Sequence, residues 1–106
     1  MPEKRLKLLS KWRVIVANVA TAIKKLYPSS EIYVFGGAAE DRLTVLSDID
    51  IAVVLEDPPK DRAGMLAKIW EILEAKGIPQ YYYPLEIHIL SKREFERLRG
   101  VKIKLA

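Results

Sequence analysis

The sequence has no cysteine, one histidine, only two side-chain amides (Asn18 and Gln80) and no apolar run long enough to span a bilayer. The missing cysteine excludes disulfides, thiolate zinc sites and cysteine nucleophiles, and it agrees with a reducing compartment. The opening Met1-Pro2-Glu3-Lys4-Arg5 leads into a lysine-rich stretch with no signal-peptide core or membrane span, so the expected location is the cytoplasm, with no membrane partner. Scarce amides beside plentiful Lys, Arg and Glu form a bias also seen in heat-adapted proteins.

What is present suffices for one core. Half of the 106 residues are apolar and 30% are charged, which suits a single globular domain over 1–106. The net charge of +4 is unevenly spread. Residues 1–27 carry seven basic side chains against Glu3, and residues 91–106 carry six against Glu94 and Glu96. Residues 28–90 carry five basic and eleven acidic side chains, a net of −6. Two solvated basic helices flanking an acidic centre account for this pattern. The same distribution would also draw a polyanion such as RNA to the ends and cations to the middle.

Periodicity gives the element order α, β, turn, β, α, β, α. Leu9, Trp12, Val16, Val19, Ile23 and Leu26 make one apolar stripe along a helix over 3–27, which Pro28 ends. Glu31 to Phe35 reads as a strand stopped by Gly36-Gly37, and 38–47 as a loop with one helical turn. Ile49 to Leu55 alternates, with Ile49, Ile51 and Val53 on one face and Asp48, Asp50, Ala52 and Val54 on the other. Asp61 is placed to cap a helix over 62–76, buried through Met65, Leu66, Ile69, Ile72 and Leu73 and closed by Gly77 and Pro79. Tyr81 to Leu90 reads as a third strand, with Pro84 suited to a sheet edge or bulge. Ser91 and Glu94 form a capping box opening a helix over 92–99, and 101–105 is a short strand or a tail. The expected fold class is α/β (α+β), a small mixed β-sheet with helices packed on one face.

The chemistry concentrates in Val34-Phe35-Gly36-Gly37 and, ten residues on, Asp48-Ile49-Asp50-Ile51. A buried unpaired carboxylate is costly, so two on one face of an apolar strand call for a cation or a solvent-filled cleft. Side chains two apart on a strand sit roughly 6–7 Å from each other, within reach of a shared pair of ions. Glu86 opposes the core positions Leu85, Ile87 and Ile89, and reaches the aspartates if the two strands are neighbours. Carboxylate oxygens suit Mg2+ or Mn2+. Small residues after a strand let backbone N–H groups approach phosphate. His88 shares the face of Glu86 and reads as a polar residue on the open sheet, with contact to nucleotide or acceptor as its sharper role. Tyr81, Tyr82 and Tyr83 suit a half-exposed strand better than base stacking, and Trp12 and Trp70 suit packing.

This ordered set resembles the nucleotidyltransferases of the DNA polymerase beta superfamily, and the run Ser47-Asp48-Ile49-Asp50-Ile51-Ala52-Val53-Val54 is most similar to the minimal nucleotidyltransferases. The resemblance covers roughly residues 10–90. It implies a nucleotidyltransferase fold in which Asp48, Asp50 and Glu86 are catalytic and hold two Mg2+ ions, with Mn2+ an alternative. It also implies that Gly36 and Gly37 cradle a nucleoside triphosphate, ATP above all, whose monophosphate passes to an acceptor hydroxyl; Arg42, with plain solvent exposure as its alternative, and Ser47 are further candidates for contact with that triphosphate. In that family the partner is often a small helical HEPN-class protein, toxin to this fold's antitoxin, and the acceptor can be a tyrosine of that partner. A homodimer is a further expectation. The chain departs from the pattern at Gly37, where serine is usual, at Glu40 and Asp41, where many relatives have arginine and glycine, and at Glu86, where aspartate is commoner. These departures motivate the alternatives of an interaction partner or a nucleotide-binding module with little turnover.

Overall fold

The computed structural model describes residues 11–40, 42, 48–78, 80 and 84–106. Leu9, Asp41, Ser47, Pro79 and Tyr81, Tyr82 and Tyr83 therefore lie outside the described residues. Helix α1 spans Trp12–Leu26 and buries Trp12, Val16, Val19 and Ile23, the stripe expected from spacing. The Tyr27 backbone N–H donates to the Ile23 carbonyl, and Ser30, wholly buried, returns its hydroxyl to the Tyr27 carbonyl at 2.7 Å. That turn delivers the chain into β1, Glu31–Phe35.

Strand β2 runs Ile49–Leu55, helix α2 Arg62–Ala75 and strand β3 Leu85–Ser91. Asp61 caps α2 by accepting from the Gly64 N–H at 2.9 Å. Because α2 carries the chain back across the sheet, β3 pairs with β2 in parallel, a geometry that a tight hairpin cannot make. The remaining elements are a short helix α3, Lys92–Arg97, and strand β4, Lys102–Lys104, which settles the strand-or-tail alternative as a strand. The sheet order is β3-β2-β1-β4, with β1 antiparallel to both its neighbours. Pro84 thus enters an edge strand, where a missing donor costs least.

The sheet has two unlike faces. Ile32 and Val34, Ile49, Ile51 and Val53, and Leu85, Ile87 and Ile89 form a continuous apolar face covered by α1 and α2. Each fully buried isoleucine there contributes roughly 1.5–3 kcal/mol. The two long helices share this face, as the apolar stripes require. The short α3 packs on the reverse side, where Phe95 covers Ala52 and Val54 beside Tyr33, Phe35, Leu90 and Leu98. The Phe95 and Tyr33 ring centroids are 4.3 Å apart, and the Lys102 ammonium lies over the Phe95 ring. So β2 is sealed on both faces over its second half, while the reverse face stays open at its first residues.

Helix α3 is seated by its cap. Both halves of the Ser91–Glu94 capping box are made, and Glu94 also accepts from Arg62 at 2.8 Å. The Ser91 backbone N–H, then the Arg62 guanidinium, hold the Glu94 carboxyl below the usual carboxylate range. A depressed folded pKa adds stability above the unfolded value and loses it as pH falls through the folded one, so this contact is intact at neutral pH and fades only in acid. Ser91→Ala is expected to cost about 1 kcal/mol, read as a shift of the urea midpoint with unchanged slope.

Candidate metal and nucleotide site

The open end of the reverse face is where the acids meet. In register, Phe35 of β1 stands opposite Asp50 of β2, and Asp50 stands opposite Glu86 of β3. Three strands therefore present Phe35, Asp50 and Glu86 in one row across the sheet. Two residue pairs further along β2 and β3, Ala52 stands opposite His88. The alternation that buries Ile49, Ile51, Ile87 and Ile89 forces Asp50, Glu86 and His88 onto the shared open side.

One ligand atom from each of Asp50, Glu86 and His88 lies within 4.8 Å of the other two. His88 Nε2 is 3.2 Å from Asp50 Oδ1 and 3.7 Å from Glu86 Oε1. Asp50 is the most enclosed, its side chain 26% exposed against 57% for Glu86. The His88 ring meets Phe35 edge-on, with centroids 5.3 Å apart. Ala52, opposite His88 in register, carries only a methyl group.

Gly36 closes the other side of Asp50. It has φ +72°, in the left-handed region that favours glycine. A Cβ there would lie 2.7 Å from Asp50 Oδ2, closer than real side-chain contacts come. The sequence thus supplies glycine at 36 for two independent reasons, backbone sign and the nearness of a carboxylate. Gly37 differs: a Cβ would meet only the Arg42 carbonyl oxygen, at 3.7 Å, which is ordinary contact. Nothing in the packing forbids the serine that the resemblance leads one to expect there. The turn is closed by the Glu40 N–H donating to the Gly36 carbonyl and the Arg42 N–H to the Gly37 carbonyl.

The other expected residues are placed as follows. Asp48 is exposed at the entry to β2, immediately before Ile49, whose N–H donates to the Pro84 carbonyl. It is not one of the three residues whose ligand atoms converge. Arg42 is exposed and pairs with Glu40 at 2.9 Å, and a Cβ at Gly100 would meet the Glu40 carboxylate at 3.3 Å. Ser47 lies outside the described residues.

Sequence reasoning placed Asp50 and Glu86 side by side and missed His88 as a member of the same cluster. The signal was present in its i, i+2 spacing from Glu86, but only the parallel register brings Ala52 opposite it and so brings the ring to Asp50.

Among the described residues no helix is long and apolar enough to cross a membrane. The sequence profile described as a nucleotidyltransferase domain matches residues 16–105. A solved structure from Sulfolobus solfataricus, described as a putative nucleotidyltransferase, is similar with a TM-score of 0.56 and 24% identity, over 96% of this chain and 82% of that one. At that identity the likeness concerns the fold. A second solved structure of the same description gives a TM-score of 0.58 and 28% identity over 91% of this chain and 99% of that one. No curated protein matches the chain. With the ordered glycine and acid motifs, the matching fold and a profile that spans most of its length, the chain belongs to the nucleotidyltransferase domain family.

Proposed function

We propose that the chain transfers a nucleoside monophosphate, AMP from ATP, to an acceptor hydroxyl, using divalent cations held by Asp50, Glu86 and Asp48. The observation that carries this proposal is the convergence of Asp50 and Glu86 on the open sheet face, with Gly36 pressed bare against Asp50. The donor set fits the group: carboxylate oxygens are the ligands that Mg2+ and Mn2+ take. Two carboxylates at facing register positions repel, and a divalent ion between them relieves that repulsion. Asp48 would join them from its exposed position two residues before Asp50, at the entry to β2.

Bound divalent ions would supply charge neutralisation to the attacking and departing oxygens of an in-line displacement. The residues of the chain do the rest. Gly36 and Gly37 let the backbone approach the triphosphate. Arg42 exchanges Glu40 for a phosphate oxygen, a small loss because exposed ion pairs contribute about 0–1 kcal/mol. Ser47 adds a hydroxyl. Glu86, the most exposed of the cluster, takes the proton of the acceptor hydroxyl as its oxygen bonds to the α-phosphorus. The bond from that phosphorus to the bridging oxygen breaks, and pyrophosphate departs.

The test is incubation with α-labelled ATP, a divalent cation and candidate acceptors, including RNA and a small helical HEPN-class protein. Label should pass to one acceptor class, and Asp48→Asn should abolish the transfer. Label on no acceptor would contradict it. A second reading, a nucleotide-binding module with little turnover, is favoured by the Glu40–Arg42 pair, which engages the guanidinium that would otherwise meet phosphate. Calorimetry separates the two: ATP bound without transfer supports the module.

A further inference from the structure

The histidine of the cluster carries an inference beyond the carboxylates. The geometry points to His88 as a nitrogen ligand of the ion held by Asp50 and Glu86, making this a site that prefers a divalent transition ion, which accepts imidazole, over Mg2+. This rests on the proposal that the two acids bind a divalent cation.

The donor atoms lie close enough together to converge on a common centre. Two donor atoms about 2.1 Å from one ion stand roughly 3.0 Å apart at a right angle and about 3.4 Å apart at a tetrahedral angle. His88 Nε2 lies 3.2 Å from Asp50 Oδ1 and 3.7 Å from Glu86 Oε1, so neither side chain must travel far to share an ion. A histidine serving only to orient Asp50 would need the first contact and not the second. The ring is also held in place, since Phe35 meets it edge-on. With its proton on Nδ1, the neutral ring presents a lone pair at Nε2. Mg2+ prefers oxygen ligands and keeps several waters, whereas the later divalent ions accept imidazole readily. One nitrogen among two carboxylates therefore shifts preference rather than creating a new pocket.

The test uses untagged, nucleotide-free protein and Mn2+ alone. Because His88 is the only histidine in the chain, an imidazole signal on bound Mn2+ has no other source. Electron spin echo modulation of the Mn2+-loaded protein should carry an imidazole nitrogen coupling, and His88→Gln should remove it. The same variant should lose Mn2+ affinity by at least about tenfold, the low end of what losing a residue that merely supports a ligand costs, while Mg2+ affinity from competition moves less. Circular dichroism should confirm that the variant folds, and if it does not, the spectrum of the wild-type protein decides alone. Bound Mn2+ with no nitrogen coupling overturns the inference while the acidic site stands. No Mn2+ bound by the wild type, or equal binding by Asp50→Asn, overturns both.

Discussion

Asp50→Asn is expected to lower nucleotidyl transfer by more than roughly 100-fold, beyond the 10–100-fold typical of losing a residue that only supports a metal ligand. The fold should tolerate the change. Asp50 is partly exposed, its partner among the described residues is His88 rather than a lysine or arginine, and amide and carboxylate are alike in size. Removing its charge also removes repulsion with Glu86 across the parallel ladder. Thermal melting should therefore show stability unchanged within about 0.5 kcal/mol, the usual range for substitutions away from packed cores, or slightly raised. Initial rates with α-labelled ATP, measured beside the melts, check both halves. If Asp50 were structural, stability would fall together with activity.

Gly36→Ala should damage both properties. The left-handed backbone at φ +72° costs an L-residue about 1–2 kcal/mol, and the added methyl would sit 2.7 Å from Asp50 Oδ2 unless something moves. The carboxylate is the part able to yield, and its displacement spoils the convergence with Glu86 and His88. Denaturant unfolding should register a loss of roughly 1–3 kcal/mol, and Mn2+ binding should weaken in parallel. Gly37→Ser is the contrast. It sits outside the positive-φ set and finds only ordinary contact, so the same two measurements should barely change.

Much of this arrangement could be read from the sequence because its signals are local. Ile49, Ile51 and Val53 alternate with Asp50 and Ala52, so the face of each was fixed by the strand period. Asp61 and Ser91 announce their helices through side-chain oxygens placed for the first-turn N–H groups, and both caps are made. The parts that escaped depend on pairing across long stretches of chain. Whether Glu86 or His88 faces Asp50 is decided by the β2–β3 register, which follows from how α2 packs and not from any short motif. Helix α3 has a single buried residue, Phe95, so its six residues hold no stripe from which to tell which face of the sheet it covers. That Val54 and Ala52 are buried on the reverse side follows from the same packing. The resemblance already sets Gly37 apart as a position where serine is usual, and of the pair only Gly36 needs to be glycine for steric reasons.

The most direct measurement is the calorimetric affinity for a non-hydrolysable ATP analogue, taken with saturating Mn2+ and again with chelator, on wild type and on Glu86→Gln. Acids from two strands that jointly seat an ion against phosphate predict tight binding in the wild type with Mn2+, and a loss of at least about tenfold when either the ion or the Glu86 charge is removed. Equal affinity in all four titrations would mean that nucleotide, if it binds, does so without these carboxylates.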